Sequence, residues 1–189
     1  MFNLIKRLIA ALPTVDAHCD TADGPTVNDG RTALETGNIN YALKWVPAKY
    51  EGEVRDVFAK AVAVRGLSSE AAEVADRLFL ETMVRVHRMA EGAGFTGIAP
   101  SDTPVDPVVS AADEALVTGN LEPVRHLVPA ERFDELAARF ESARAKRDFP
   151  VDDVAAGRDY IHAYVSYFKY AEGEEHDHAH GEHHHGHGH

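Results

Sequence analysis

ALETGNINYALKWVP, residues 33–47, and ALVTGNLEPVRHLVP, residues 115–129, are one pattern written twice. Both read A-L-x-T-G-N followed by Ile or Leu, both close on Val-Pro, and they lie 82 positions apart. The register extends upstream, where CDTADGPTV at 19–27 aligns with SDTPVDPVV at 101–109. With one residue deleted it also extends downstream, so that the AEG ending at Gly92 aligns with the one ending at Gly173. Self-similarity at a fixed offset marks a chain built from tandem units, here about 18–92 and 100–173.

Each unit reads as helical. Gly37-Asn38 and Gly119-Asn120 should end a short helix in each, because Gly enters the left-handed conformation that closes helices at little cost. Asn28 and Ser110, aligned by the repeat, are the expected N-caps of those helices. After Pro47 and Pro129, apolar residues at helical spacing predict amphipathic helices: Val54, Phe58 and Ala61 in one unit, Phe133, Leu136 and Phe140 in the other. The longest apolar segments, EAAEVADRLFLETMVRVHRMAEG at 70–92 and VDDVAAGRDYIHAYVSYFKYAEG at 151–173, are expected at the centre of the fold. No run alternates with period two between turn residues, so the class is all-α. The connection GAGFTGIAPSDTPVDP at 92–107 is rich in Gly and Pro and should be irregular. A unit of about 80 residues makes a marginal core alone. One helical bundle over 18–173, its two units related by a pseudo-twofold, is therefore expected over two independent domains; stacking as a helical solenoid is the alternative.

Composition bounds the function. The 189 residues are 44% hydrophobic and 26% charged, with a formal net charge of −12. Such a surface disfavours nucleic acid, which needs clustered Lys and Arg, and favours cations. A single cysteine, Cys19, excludes an intrachain disulfide. Residues 1–17, MFNLIKRLIAALPTVDA, carry Lys6 and Arg7, a short apolar run and small residues before His18, as a cleaved signal segment does. Export to the periplasm or beyond is the expectation, with an uncleaved amphipathic segment on a cytoplasmic protein as the alternative. The apolar run is too short to span a bilayer, which takes about 20 residues.

The repeat lets one unit serve as a control for the other. Asp20 and Thr21 recur as Asp102 and Thr103 and read as turn scaffold. His18, Cys19 and Asp23 do not recur; Pro100, Ser101 and Val105 stand in their places. In the long segments Glu81, Met83 and His87 align with His162, Tyr164 and Phe168. Metal-capable side chains therefore concentrate in the first unit. Asp76, Leu80, Met83, His87 and Glu91 fall on one helical stripe, and His87 and Glu91, four apart, can offer a nitrogen and an oxygen to one ion. The competing reading makes Leu80 and Met83 core and His87 a hydrogen-bonded histidine near a helix C-terminus. His126 and His162 read as surface or packing residues. Around Cys19, a thiolate, the His18 imidazole and the Asp23 carboxylate lie within a few residues, joined by an α-amine if Ala17 is removed. Thiolate and nitrogen donors suit Ni, Cu or Zn, in contrast to the oxygen shells of Ca and Mg.

Past Glu174 the chain is EEHDHAHGEHHHGHGH, with His176, His178, His180, His183, His184, His185, His187 and His189. It is too polar to pack and is expected to be disordered without metal. Imidazoles among carboxylates bind Ni, Zn or Cu through interchangeable ligand sets. An expression tag is the alternative, although tags are usually unbroken His runs.

The stretch HCDTADG at 18–24 resembles the N-terminal metal hook of nickel superoxide dismutases, a helical-bundle family whose hook reads H-C-D-x-x-C-G. The identities are His18, Cys19, Asp20 and Gly24, while Asp23 stands where that family has a second thiolate. The resemblance implies ligation by the His ring, the thiolate, the terminal amine and an amide. More widely, AHCDT, DGP, ALETGN, ETMVRVHR and AEG resemble a bacterial family of exported helical proteins of unknown function, which implies fold and export without an activity. The resulting expectation is a transition-metal-binding protein in metal handling, with a hook at His18 and Cys19 to which Asp23, Glu81, His87 and Glu91 are the further candidate ligands, and a metal-capturing tail. Its candidate partners are metal ions and a protein of metal handling. Alternatives are a hook-type redox metalloenzyme and a helical interaction module without metal.

Overall fold

The structure, a computed structural model, describes residues 19–173. The expected signal segment, His18 and the His-rich tail lie outside the described residues.

The described residues are all-α, with no strand among them. In the first half α1 (Pro25–Thr36), α2 (Asn40–Leu43), a 3-10 turn (Ala48–Tyr50), α3 (Glu51–Val64) and α4 (Ser69–Ala90) follow one another. In the second, α5 (Pro107–Thr118), α6 (Glu122–Arg125), a 3-10 turn (Ala130–Arg132), α7 (Phe133–Lys146) and α8 (Val154–Glu172) repeat that succession. The first four elements are 12, 4, 3 and 14 residues long in both halves.

The T-G-N motif explains the recurring corner. Gly37 and Gly119 end α1 and α5 at φ 70° and 76°, a conformation a Cβ would strain. Thr36 Oγ1 donates to the Thr32 carbonyl at 2.7 Å and accepts from Asn38 N at 3.3 Å; Asn38 Oδ1 then accepts from Asn40 N at 3.0 Å. Thr118 and Asn120 make the same set with Glu114 O, Asn120 N and Glu122 N, at 2.8, 3.2 and 3.1 Å. Arg65 and Arg147, just past α3 and α7, each donate at 2.9 Å to a carbonyl in the last turns of α1 and α5, Leu34 and Leu116. Backbone groups at the helix ends are thereby satisfied in the same way twice.

The N-termini correct one expectation. Asn28 and Ser110 are not caps; the N-caps of α1 and α5 lie four residues earlier, at Gly24 and Asp106. Pro25 and Pro107 open the helices because a first-turn residue has no intrahelical N–H bond to lose. Asp106 Oδ1 accepts from Val108 N at 2.8 Å.

Buried apolar residues form two clusters. One gathers Val27, Leu34, Leu43, Val54, Phe79, Met83 and their neighbours from the first half. The other gathers Val109, Leu116, Leu136, Phe140, Tyr167 and Phe168 from the second and includes Cys19 and Trp45 from the first. The two long helices are thus not one shared centre: α4 packs chiefly on α3, and α8 on α7. Each buries its apolar stripe against its own half.

The halves are tied along a polar seam. Arg158 of α8 donates to the Val46 and Leu43 carbonyls at 2.8 and 3.3 Å and pairs with Glu51. Asn40 donates to Asp152 at 3.0 Å. A Cβ on Gly157 would lie 2.9 Å from Lys44 Cβ and from the Phe149 ring, so this helix-interior glycine permits the approach.

Candidate functional site

The segment after Cys19 is held as a strap. Thr21 bridges Ala99, with Ala22 N donating to Ala99 O at 2.8 Å and Ala99 N to Asp20 O at 3.0 Å. Asp20, buried, accepts from Arg88 Nη1 at 2.6 Å, and Arg88 Nε donates to Gly94 O at 2.7 Å. Arg88 belongs to the last turns of α4, so this ion pair pins the strap to the turn that carries His87 and Glu91.

His87 is 4% exposed. Its Nδ1 lies 3.2 Å from the Trp45 carbonyl oxygen, which can only accept, so Nδ1 carries the proton in that bond. In the neutral ring Nε2 then holds the lone pair and faces Glu91 Oε1 at 3.7 Å. A backbone carbonyl fixing the tautomer in this way is how histidine ligands are commonly oriented. Glu91 Oε2 is also 3.3 Å from Lys169 Nζ of α8. The carboxylate therefore pairs with the ammonium of the other half and lies against an imidazole of its own, a contact that becomes an ion pair only when that ring is protonated.

Aromatic rings wall the seam. Trp45 meets His87 edge to face at 5.3 Å and Tyr164 at 6.0 Å. Its Nε1 donates to Asp29 Oδ2 at 2.7 Å. Tyr164 packs at a tilt on Phe168 and Tyr160, with ring centroids 4.5 and 5.9 Å away. Its hydroxyl donates to Asp113 Oδ1 at 3.5 Å. Burial holds the Tyr164 hydroxyl well above the ordinary tyrosine range, and the proximity of Cys19 and Asp113 raises it further. Cys19, 2% exposed, shares this apolar cluster with Trp45 and Tyr164.

Of the expected donors, the fold brings His87 and Glu91 into contact and buries Cys19 in the cluster that includes Trp45, on which the His87 ring rests. Asp23 is exposed at the strap turn. Glu81 pairs with Arg77 at 2.9 Å; six residues before His87, it points to another flank of α4. His18 and the eight tail histidines lie outside the described residues. Among the described residues no group of three or more His, Cys, Asp or Glu side chains is placed to hold a metal ion. No described helix is long and apolar enough to cross a membrane.

Four seam residues escaped the sequence reading: Trp45, Tyr164, Arg88 and Lys169. The repeat carried a signal for the first, since buried Trp45 aligns with Leu127, which is exposed. It also aligns Arg88 with Lys169, and each holds an acid across the fold: Asp20 and Glu91.

No curated protein and no solved structure matches the chain. A family model described as a family of unknown function, DUF6448, matches residues 23–170. That span begins just after Cys19 and takes in both helical halves. The chain, all-α over its described residues, belongs to this family of unknown function.

Proposed function

We propose that the protein binds a divalent transition metal, Ni, Cu or Zn, in an exported compartment, as part of metal handling. The observation that carries the reading is the Asp20–Arg88 ion pair, which draws the strap bearing Cys19 to the helical turn bearing His87 and Glu91. A carbonyl-oriented imidazole and a carboxylate one turn apart supply N and O donors. Cys19 and His18, adjacent in sequence, supply the thiolate and a second imidazole. Glu91 would exchange its contact with Lys169 for the ion. The His-rich tail would capture ions for this site. In this reading the two halves also descend from one duplicated unit, and the first alone acquired the donors.

Trp45 makes the test direct, because it is the only tryptophan and its indole packs on His87. Cu or Ni bound at His87 is expected to quench its fluorescence with saturation at one equivalent in the full chain. His87→Gln and Cys19→Ser should each weaken that phase at least about tenfold, while a chain lacking residues 174–189 should retain it. Quenching identical in wild type and both point variants refutes the site. The hook-type enzyme reading is decided by superoxide dismutation: turnover no faster than that of the free ion removes it.

A further inference from the structure

We infer that α4 presents an interface for a second copy of this chain, paired antiparallel about a twofold axis. Leu67, Val74 and Leu78 are 77%, 70% and 55% exposed. Val74 and Leu78 share one flank of α4 with Ala71, at steps of three and four, and Leu67 lies just ahead of the helix, before its N-cap Ser68. They face away from the core stripe of Ala75, Phe79, Met83 and Val86. Val62 and Val64, near the end of α3, are exposed as well.

The repeat supplies a comparison within the molecule. In the register that aligns His87 with Phe168, the positions of Val74 and Leu78 carry Ala155 and Asp159, both exposed. A solvent-facing site on this helix thus takes small or charged residues in one half and large apolar ones in the other. The stripe belongs to α4 and is not a requirement of the fold.

Charge selects the occupant. Two such stripes laid antiparallel set Val74 of one copy beside Ala71 of the other, and Leu78 over the start of the other copy's α4, which Leu67 precedes. The same register puts Glu70 opposite the second copy's Arg77, and the twofold repeats the pair. Both side chains are exposed and flank the stripe on one side. Arg77 now pairs with Glu81, but it is 75% exposed and turns at little cost. Self-complementarity of this kind is what an isologous contact demands. The helical part of the stripe, Ala71 to Leu78, spans eight residues, about 12 Å of helix, so it buries less than the roughly 800 Å² per partner of a standard interface. Association should therefore be weak and concentration-dependent.

The experiment is sedimentation of the full chain from roughly 5 to about 200 µM, with a chelator present to silence the His-rich tail. The expected average mass rises toward twice the 20.6 kDa of the chain. Leu78→Glu should stay monomeric with unchanged far-UV dichroism, since its side chain faces solvent. Arg77→Glu and Glu70→Arg, alone, should each weaken association about tenfold or more, and the double charge swap should restore it. A wild-type chain monomeric throughout overturns the inference, whether the stripe is bare or covered by another segment or protein. So does a Leu78→Glu chain that associates like wild type, or a double swap that fails to recover. None of these readouts depends on metal at His87.

Discussion

Replacing Arg88 with Ala should loosen the strap and report what it is worth. The guanidinium is 18% exposed and the Asp20 carboxylate 7%, with 2.6 Å between donor and acceptor. Removing one partner of a buried pair typically costs about 3–5 kcal/mol, because the remaining charge loses its compensation. Asp20 keeps other contacts, which places this variant near the low end, about 3 kcal/mol. Loss of the Arg88 bond to the Gly94 carbonyl adds about 1 kcal/mol. For a domain of this size each kcal/mol moves the melting temperature by about 2–4 °C, so a drop of roughly 8–16 °C is expected. Thermal and urea unfolding followed by far-UV dichroism measure it. The control is Arg85→Ala, whose pair with Glu53 is more exposed and worth about 0–1 kcal/mol. A cycle with Asp20→Ala should give a coupling of about 2 kcal/mol or more. If Arg88→Ala costs no more than Arg85→Ala, the strap is not held as described.

Two further outcomes follow from packing and burial. Gly30→Ala would place a methyl 2.5 Å from Leu80 Cδ2 and 2.9 Å from Met83 Cε; overpacking of about 1–3 kcal/mol should outweigh a helix-propensity gain of about 1 kcal/mol. A Gly30→Ala chain that melts higher than wild type contradicts this. Burial raises the tyrosine hydroxyls of Tyr164 and Tyr167 and pushes Tyr160 up to about 12. A folded-state pKa above the unfolded value gives stability that is complete below about pH 10 and lost as pH climbs toward the folded values. The urea midpoint should therefore fall above about pH 10, less steeply in Tyr164→Phe. Phenolate absorbance showing all tyrosines of the folded chain ionising together near pH 10 would contradict that expectation.

Much of the fold was legible because it is local. Gly37 and Gly119 end helices through their own backbone preference, and Thr and Asn beside them bond groups two to four residues away. The amphipathic spacing of Val54, Phe58 and Ala61 needs only the helical period. The misplaced N-caps show the limit of such reading: Asn28 and Ser110 are good capping types, but Pro25 and Pro107 already start the helix upstream. The candidate site was legible only in part. His87 and Glu91 share a turn, so their spacing revealed them, whereas Lys169 reaches Glu91 from a helix 78 positions away in sequence.

By itself, the sequence determined the class, the amphipathic segments, the glycine-closed ends at Gly37 and Gly119 and the uneven placement of metal-capable residues, since each depends on neighbours within a few positions. Only the tertiary structure decided that the interior divides into two clusters, that Cys19 and Trp45 join the one belonging to the other half, and that Asp20 clasps Arg88. Aligned positions of a repeat share local geometry but not surroundings. Which of Trp45 or Leu127, Arg88 or Lys169, meets the opposite half depends on how the halves dock, and docking is set by surfaces assembled from residues far apart in the chain.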